Sequence, residues 1–186
     1  MRYHRDDVVE RALAVLDTWG LADLTMRRLG SELGVQPSAI YHHFAHIQTL
    51  LAAVADAIIA RGPHHDAPGA WDVRVAAVCS DLRDALLAYR DGAELVATAY
   101  SFGLGGAAPY DALVGALGDA GLDAELVPTA ARTLLHFVFG HATDEQTHLQ
   151  AGSAGAIEDG PRTESDFAVG LGIVLDGIRA RSAVNR

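Results

Sequence analysis

Apolar residues recur along this chain at helical intervals, and no stretch alternates as a half-buried strand would. Between Asp7 and Trp19, the residues Val9, Leu13, Leu16 and Trp19 fall at steps of three and four, one stripe of a helix. Gly20 is a natural stop for it. After the link Leu21-Ala22-Asp23-Leu24, the Thr25 hydroxyl can accept from free backbone N–H groups and start a second helix. Leu29 and Leu33 give that helix its apolar face, and Gly34 ends it. Gln36-Pro37-Ser38 opens a third, with proline in the first helical position, where its missing N–H costs nothing. The third helix is expected to run to about Phe44. A longer fourth, about Ile47–Arg61, carries Leu50, Leu51, Val54, Ile58 and Ile59. The breaker cluster from Gly62 to Gly69 then interrupts the pattern and marks the expected domain boundary, with His64 and His65 read as solvated linker. Beyond it, helices are expected at about 71–89, 91–102, 109–120, 125–145 and 165–181. The small-residue run from Ala151 through Pro161 reads as a mobile loop. The expected fold class is all-α.

Charge changes this picture only once it is localised. The chain has 14 Arg, no Lys and 24 acidic residues, a formal charge of −10. Residues 1–50 hold 5 Arg against 6 acidic residues, and residues 51–186 hold 9 against 18. The acidity therefore sits in the larger part, and a near-neutral N-terminal segment can bind DNA if its arginines share one face. The single cysteine, Cys79, cannot form an internal disulfide and reads as a small buried hydrophobe. The longest apolar stretch, Leu50 to Ala60, is interrupted by Asp56 and is too short to cross a bilayer. No signal-like apolar core follows the N-terminus. A cytoplasmic location without membrane association is expected.

The informative feature is the pair of short helices joined by Gly34-Val35. Leu29, Leu33, Val35 and Ile40 stand where a helix-turn-helix needs its inter-helix core. Gly34 can take a backbone conformation costly to other residues, and Gly30 is small enough for close helix packing. Such a pair leaves its second member exposed and able to enter a major groove. Spacing alone fits a helical hairpin of a bundle equally well.

The residues themselves decide between these. The run from Leu24 to Val35, LTMRRLGSELGV, followed by Ala39-Ile40-Tyr41-His42-His43-Phe44 and Leu50-Leu51, resembles the N-terminal domain of TetR-family (tetracycline-repressor-type) transcription regulators. Farther on, Tyr89-Arg90-Asp91-Gly92-Ala93, His136-Phe137-Val138-Phe139-Gly140 and Phe167-Ala168-Val169-Gly170-Leu171 resemble the C-terminal domain of the tetracycline-repressor subgroup. The resemblance implies a three-helix DNA-binding domain at 1–46, a connecting helix at 47–62 and a helical ligand-binding and dimerisation domain at 63–186. It implies that Thr25 touches a phosphate and that Arg27 touches a phosphate or a base, with Arg28 either a third contact of this helix or solvated surface. Gln36, Pro37 and Ser38 would face base edges, Tyr41 and His43 would clamp phosphates, and His42 would flank them. Phosphate contacts fix register and base-edge contacts supply specificity. The family usually has a lysine at the start of the fourth helix, where this chain has Ile47, and the preceding His46 is a poor helix cap. Weaker backbone anchoring is therefore expected, compensated by Arg27, Arg28, Arg2 and Arg5, with a salt slope lower by about one unit.

Aromatics with a few polar groups between helices are ordinary ligand-site chemistry, which makes Tyr100, Phe102, Tyr110, His136, Phe137 and His141 the candidate pocket. Tetracycline repressors hold magnesium-tetracycline through a histidine whose aligned position here is Val96, so a different small-molecule effector is expected. Gly170, Gly172 and Gly177 allow close helix approach, and Phe167, Gly170, Leu171, Val174 and Ile178 are the candidate dimer interface. His42 and His46 share a helical face, but no cysteine or carboxylate completes a metal site, and no metal or cofactor is expected. The expectation is a homodimeric repressor released from a palindromic double-stranded operator by an effector. A small-molecule-binding module with weakened DNA binding is the competing reading. His136, His141, Asp144 and Glu145 lie close together, but no nucleophile-base-orienter spacing accompanies them, so an enzyme is not expected.

Overall fold

The computed structural model describes residues 3–156 and 166–183. Among them the regular structure is helical: α1 (Arg5–Trp19), a short 3-10 turn (Leu21–Asp23), α2 (Met26–Leu33), α3 (Pro37–Tyr41), α4 (Ile47–Arg61), α5 (Trp71–Leu87), α6 (Gly92–Ser101), α7 (Ala108–Leu117), α8 (Val127–Ser153) and α9 (Phe167–Ala183). Two compact units emerge. The chain up to Gly62 together with Ala85–Ala107 makes the first, and Pro63–Asp84 together with the chain from Ala108 onward makes the second. No helix among the described residues is long and apolar enough to cross a membrane.

In the first unit, α1 buries Val8, Val9, Ala12, Leu13, Val15 and Leu16. Trp19, expected in that stripe, is instead 49% exposed, and its ring carries the Arg28 guanidinium at 4.3 Å. Gly20 closes α1 by donating its N–H to Leu16 O at 2.8 Å, with φ at +85°. The reason is a close approach: a Cβ on Gly20 would lie 2.6 Å from Asp91 Oδ2. Asp91, itself left-handed at φ +54°, accepts the Leu21 N–H at 2.7 Å, while Asp17 accepts the Arg90 N–H at 3.3 Å. The turn between α5 and α6 is thus latched to the end of α1. Asp91→Ala is expected to cost about 1.5–3 kcal/mol, the range for a hydrogen bond to a charged group, and Asp91→Asn less than half of that. Thermal melting of the two variants checks it; equal melting temperatures would dismiss the latch.

In the second unit, α8 buries Ala131, Leu134, Leu135, Val138, Phe139 and Ala142, and α9 buries Phe167, Leu171, Leu175 and Ile178. Burial pushes the Cys79 thiol up to about 12, so it packs as a hydrophobe. The expected end of α8 near 145 needs correction. The helix continues to Ser153 and absorbs the start of the run read as a loop, because Gln146 and Gly152 are buried on its inner face. Residues 154–156 form a turn, and the rest of that run lies outside the described residues.

The linker histidines are not simply solvated. His65 donates its backbone N–H to Asp81 at 2.7 Å, and its ring Nδ1 meets the same carboxylate. That hydrogen bond, then the charge of Asp81, raises the His65 pKa above its ordinary value. The contact's contribution is complete below the ordinary histidine value and fades as pH rises through the raised one. An NMR titration should find His65 titrating above the ordinary histidine value, with Asp81→Asn bringing it down. An unchanged His65 in that variant would refute the pairing.

Candidate nucleic-acid interface

The head is built around one glycine. Thr25 caps α2, its Oγ1 accepting the Arg28 N–H at 3.1 Å. At the other end, Gly34 ends the helix in the left-handed region at φ +66°, and Val35 returns its N–H to Gly30 O at 2.9 Å. The chain therefore folds back over Gly30 itself. A Cβ there would stand 2.9 Å from Val35 O and 3.4 Å from Pro37 N, so only glycine leaves room for the turn. Pro37 then starts α3. Leu29, Leu33, Ile40 and Phe44 are all buried beneath it.

The third helix stops at Tyr41 rather than near Phe44. Both His43 and Phe44 donate to Ile40 O, at 2.9 and 3.0 Å, which closes the helix early and turns Phe44 into the core. The polar side chains point the other way. Thr25, Arg27, Gln36, Ser38, Tyr41, His42 and His43 are exposed, and Pro37 is partly so. Seven of the nine proposed DNA contacts thus stand exposed on α2, α3 and the turn after it. Arg28 is different: its Nε pairs with Glu32 at 3.2 Å and its guanidinium covers Trp19.

Two residues brace this face, Tyr3, which the sequence did not mark, and Arg5, which it marked only as a DNA contact. Tyr3 donates its hydroxyl to Leu33 O at 2.9 Å, tying the N-terminal segment to the end of α2. The Arg5 guanidinium lies 4.7 Å from the Phe44 ring centroid. Neither has a periodicity to betray it. Arg2, invoked with Arg5 as compensation, lies outside the described residues. The weak cap at His46 is supplemented locally, because Thr49 Oγ1 faces the His46 N–H at 3.4 Å and donates to His46 O at 2.7 Å. A cleft of about 340 Å³ opens beside α3, lined by Tyr3, Val8, Leu33, Val35, Ala39, Ile40, His42 and His43. A second, about 480 Å³, runs between α1 and α4 past Leu104.

The candidate ligand residues are divided between the two units. Tyr100 and Phe102 belong to the first unit and Tyr110, His136, Phe137 and His141 to the second. Phe102 is 62% exposed and His136 is exposed. None of the six lines either cleft. Phe137 and His141 instead pack with Phe167, centroid to centroid 5.4 and 5.1 Å. Arg83 covers Phe167 at 5.3 Å and grips Glu145 with Nε and Nη2. This is a structural joint of α5, α8 and α9. Glu145 is therefore part of that joint, and the described residues contain no group of three or more His, Cys, Asp or Glu able to hold a metal.

Three of the five dimer candidates face inward. Phe167, Leu171 and Ile178 are buried in their own subunit, and Gly170 packs closely there, a Cβ on it coming within 2.9 Å of Phe137 Cε2. Val174 is half-buried. The outward stripe of α9 is Val169 and Ile173, 68% and 69% exposed, with Gly172 and Gly177 open beside it and Gly140 open on α8.

Comparison with known proteins places these features. A family model described as bacterial regulatory proteins, tetR family, matches residues 8–54, which takes in most of α1, all of α2 and α3 and the first half of α4. A model described as tetracyclin repressor-like, C-terminal domain, matches residues 63–165. The tetracycline repressor protein class A from transposon 1721 of Escherichia coli is 32% identical, over 96% of this chain and 92% of its own length. Among solved structures, Mycobacterium smegmatis BioQ superposes with a TM-score of 0.89 at 41% identity, covering 96% of this chain and 99% of that one. BioQ with its natural double-stranded DNA operator gives 0.85 at 40% identity, with the same coverage. The chain belongs to the tetR family of bacterial regulatory proteins and is a DNA-binding transcriptional regulator.

Proposed function

We propose that this regulator is a homodimeric repressor that holds a palindromic operator with two copies of α3 and lets go when a small molecule binds its C-terminal part. The observation that carries the proposal is the α2–α3 face, where Gln36, Ser38 and Tyr41 stand exposed on a buried Leu29, Leu33, Ile40 and Phe44 support. Its relative BioQ has been solved on its own double-stranded operator. In this reading Thr25, Tyr41 and His43 hold phosphates, Arg27 a phosphate or base, and Gln36, Pro37 and Ser38 read base edges, with His42 beside them. Arg28 serves the head by bracing Trp19 and Glu32. Two recognition helices would enter successive major grooves about 34–36 Å apart. By role, 1–46 is the reader, 47–62 the connector and 63–186 the sensing and pairing part.

Pairing is assigned to the outward stripe of α9, Val169 and Ile173, against its two-fold copy. The effector can weaken DNA binding only by as much as it prefers the released conformation. Magnesium-tetracycline is not proposed, because the Val96 side chain is apolar and fully buried and offers no metal ligand. The effector is a different small molecule, no catalytic step is assigned to the chain, and the proposed compartment is the cytoplasm.

A gel-shift titration of the full chain against the DNA upstream of its own coding sequence tests the reading. A salt-sensitive, sequence-specific shift is expected. Its absence at low salt, with a folded dimer, would favour a small-molecule-binding module instead.

A further inference from the structure

Residues 33–55 contain no Asp, Glu, Lys or Arg. That window holds the end of α2, the turn, all of α3 and the first half of α4, which is most of the proposed DNA face. The fixed charges at its borders are engaged: Glu32 with Arg28, Arg5 over Phe44, and Asp56 with the Gly106 N–H at 2.7 Å. Three histidines fall inside the window, His42, His43 and His46, all exposed. His42 and His43 share their cleft with apolar side chains and Tyr3, and no carboxylate lines it. His46 starts α4 beside Thr49. On α1, Asp7 accepts the His4 backbone N–H at 2.7 Å, and Asp6 lines the neighbouring α1–α4 cleft with Arg5 and Thr49.

We propose that the DNA backbone at this end of the head is gripped by protonated histidines, so that operator binding takes up protons and tightens as pH falls through neutrality. The inference rests on the reading of α2 and α3 as the DNA-binding face. A neutral imidazole brings one donor and no charge, whereas an imidazolium brings two donors and a full charge to a phosphate. Duplex DNA is dense in negative charge, and its field raises the proton affinity of a histidine laid against it. A lysine or arginine would be charged at any physiological pH; here the cation forms as the complex forms. The sign follows from linkage. A histidine laid against phosphate holds its proton more tightly than the same histidine off DNA, so the extra affinity is complete at low pH and disappears as pH rises through the bound histidine's titration. Each histidine shifted by about one unit tightens binding about tenfold across that window. Each phosphate so neutralised steepens the salt slope by about 0.9.

The test uses the full-length protein and a duplex it selects in vitro from random-sequence DNA, followed by fluorescence anisotropy at about pH 6 and about pH 8 over a range of salt. The wild-type chain should bind at least about ten times tighter at the lower pH, with a steeper salt slope. The triple variant His42→Gln, His43→Gln, His46→Gln should give nearly equal affinities at the two pH values. His46→Arg should bind more tightly than wild type at about pH 8, which guards against a triple variant that folds poorly. His4→Gln should keep the whole dependence. A wild-type affinity that ignores pH, or a triple variant that keeps the dependence, overturns the proposal while leaving the DNA-binding reading intact. Failure to select any duplex at either pH sinks both.

Discussion

Gly30→Val is expected to lower operator affinity at least about a hundredfold, equivalent to about 2.7 kcal/mol, in a protein that still folds. The added Cβ would meet Val35 O at 2.9 Å, Pro37 N at 3.4 Å and Pro37 Cδ at 3.5 Å. These atoms belong to backbone and a proline ring, so they cannot swing aside as a flexible side chain would. The turn must open, the bond from Val35 N–H to Gly30 O at 2.9 Å is strained or lost, and α3 tilts away from α2. Overpacking of this kind costs about 1–3 kcal/mol of stability. The effect on DNA should be larger than on stability, because base-edge contacts fail with small displacements. Gly34→Ala is the informative contrast. It carries backbone strain at φ +66° but meets nothing within 4 Å, so a loss of about 1–2 kcal/mol in stability with a smaller change in affinity is expected. Circular dichroism melts and operator anisotropy on both variants settle the matter. A Gly30→Val protein that binds as tightly as wild type would remove the geometric basis of the head.

Ile173→Glu should leave each subunit folded and split the proposed dimer. Ile173 is 69% exposed, so in the isolated subunit the substitution merely exchanges one solvent-facing side chain for another. Across a two-fold axis it would instead set two carboxylates against apolar surface, and uncompensated burial of charge is prohibitive. Losing the second copy removes the effective-concentration gain of bivalent binding, about 10²–10⁴ in operator affinity. Sedimentation should show a monomer, and anisotropy a fall in affinity of about that size. Leu171→Glu makes the control from the opposite face: Leu171 is buried in its own subunit, so this variant should lose its fold. A dimeric Ile173→Glu protein would move the interface elsewhere.

Much of the head was legible along the chain, because its signals are local. Thr25 caps α2 through an Arg28 N–H three residues away, Gly34 takes the left-handed conformation at the helix end, and Pro37 opens α3. A capping hydroxyl or a positive φ acts on its own neighbours, so its type and spacing carry the information. The early end of α3 was not legible in this way. It depends on Phe44 preferring the core, where it is buried, to a further helical turn, and that core exists only once the head has folded. The persistence of α8 to Ser153 has the same character: Ala151, Gly152 and Ser153 have the composition of a loop, yet burial of Gln146 and Gly152 holds them in helix. The Asp91 latch spans 70 residues of sequence, and no local pattern announces it.

Helix periodicity, helix ends and the helix-turn-helix were written into the order of residues, since each arises from interactions within one or two turns of the chain. The facing of α9 was not. That helix has two apolar stripes, Phe167-Leu171-Leu175-Ile178 and Val169-Ile173, and hydrophobicity is non-directional, so composition alone cannot say which one the subunit keeps for itself. The tertiary structure decides it through Phe137, whose ring packs so closely on Gly170 that a Cβ there would come within 2.9 Å of it. That contact turns Phe167 and Leu171 inward and leaves Val169 and Ile173 to solvent.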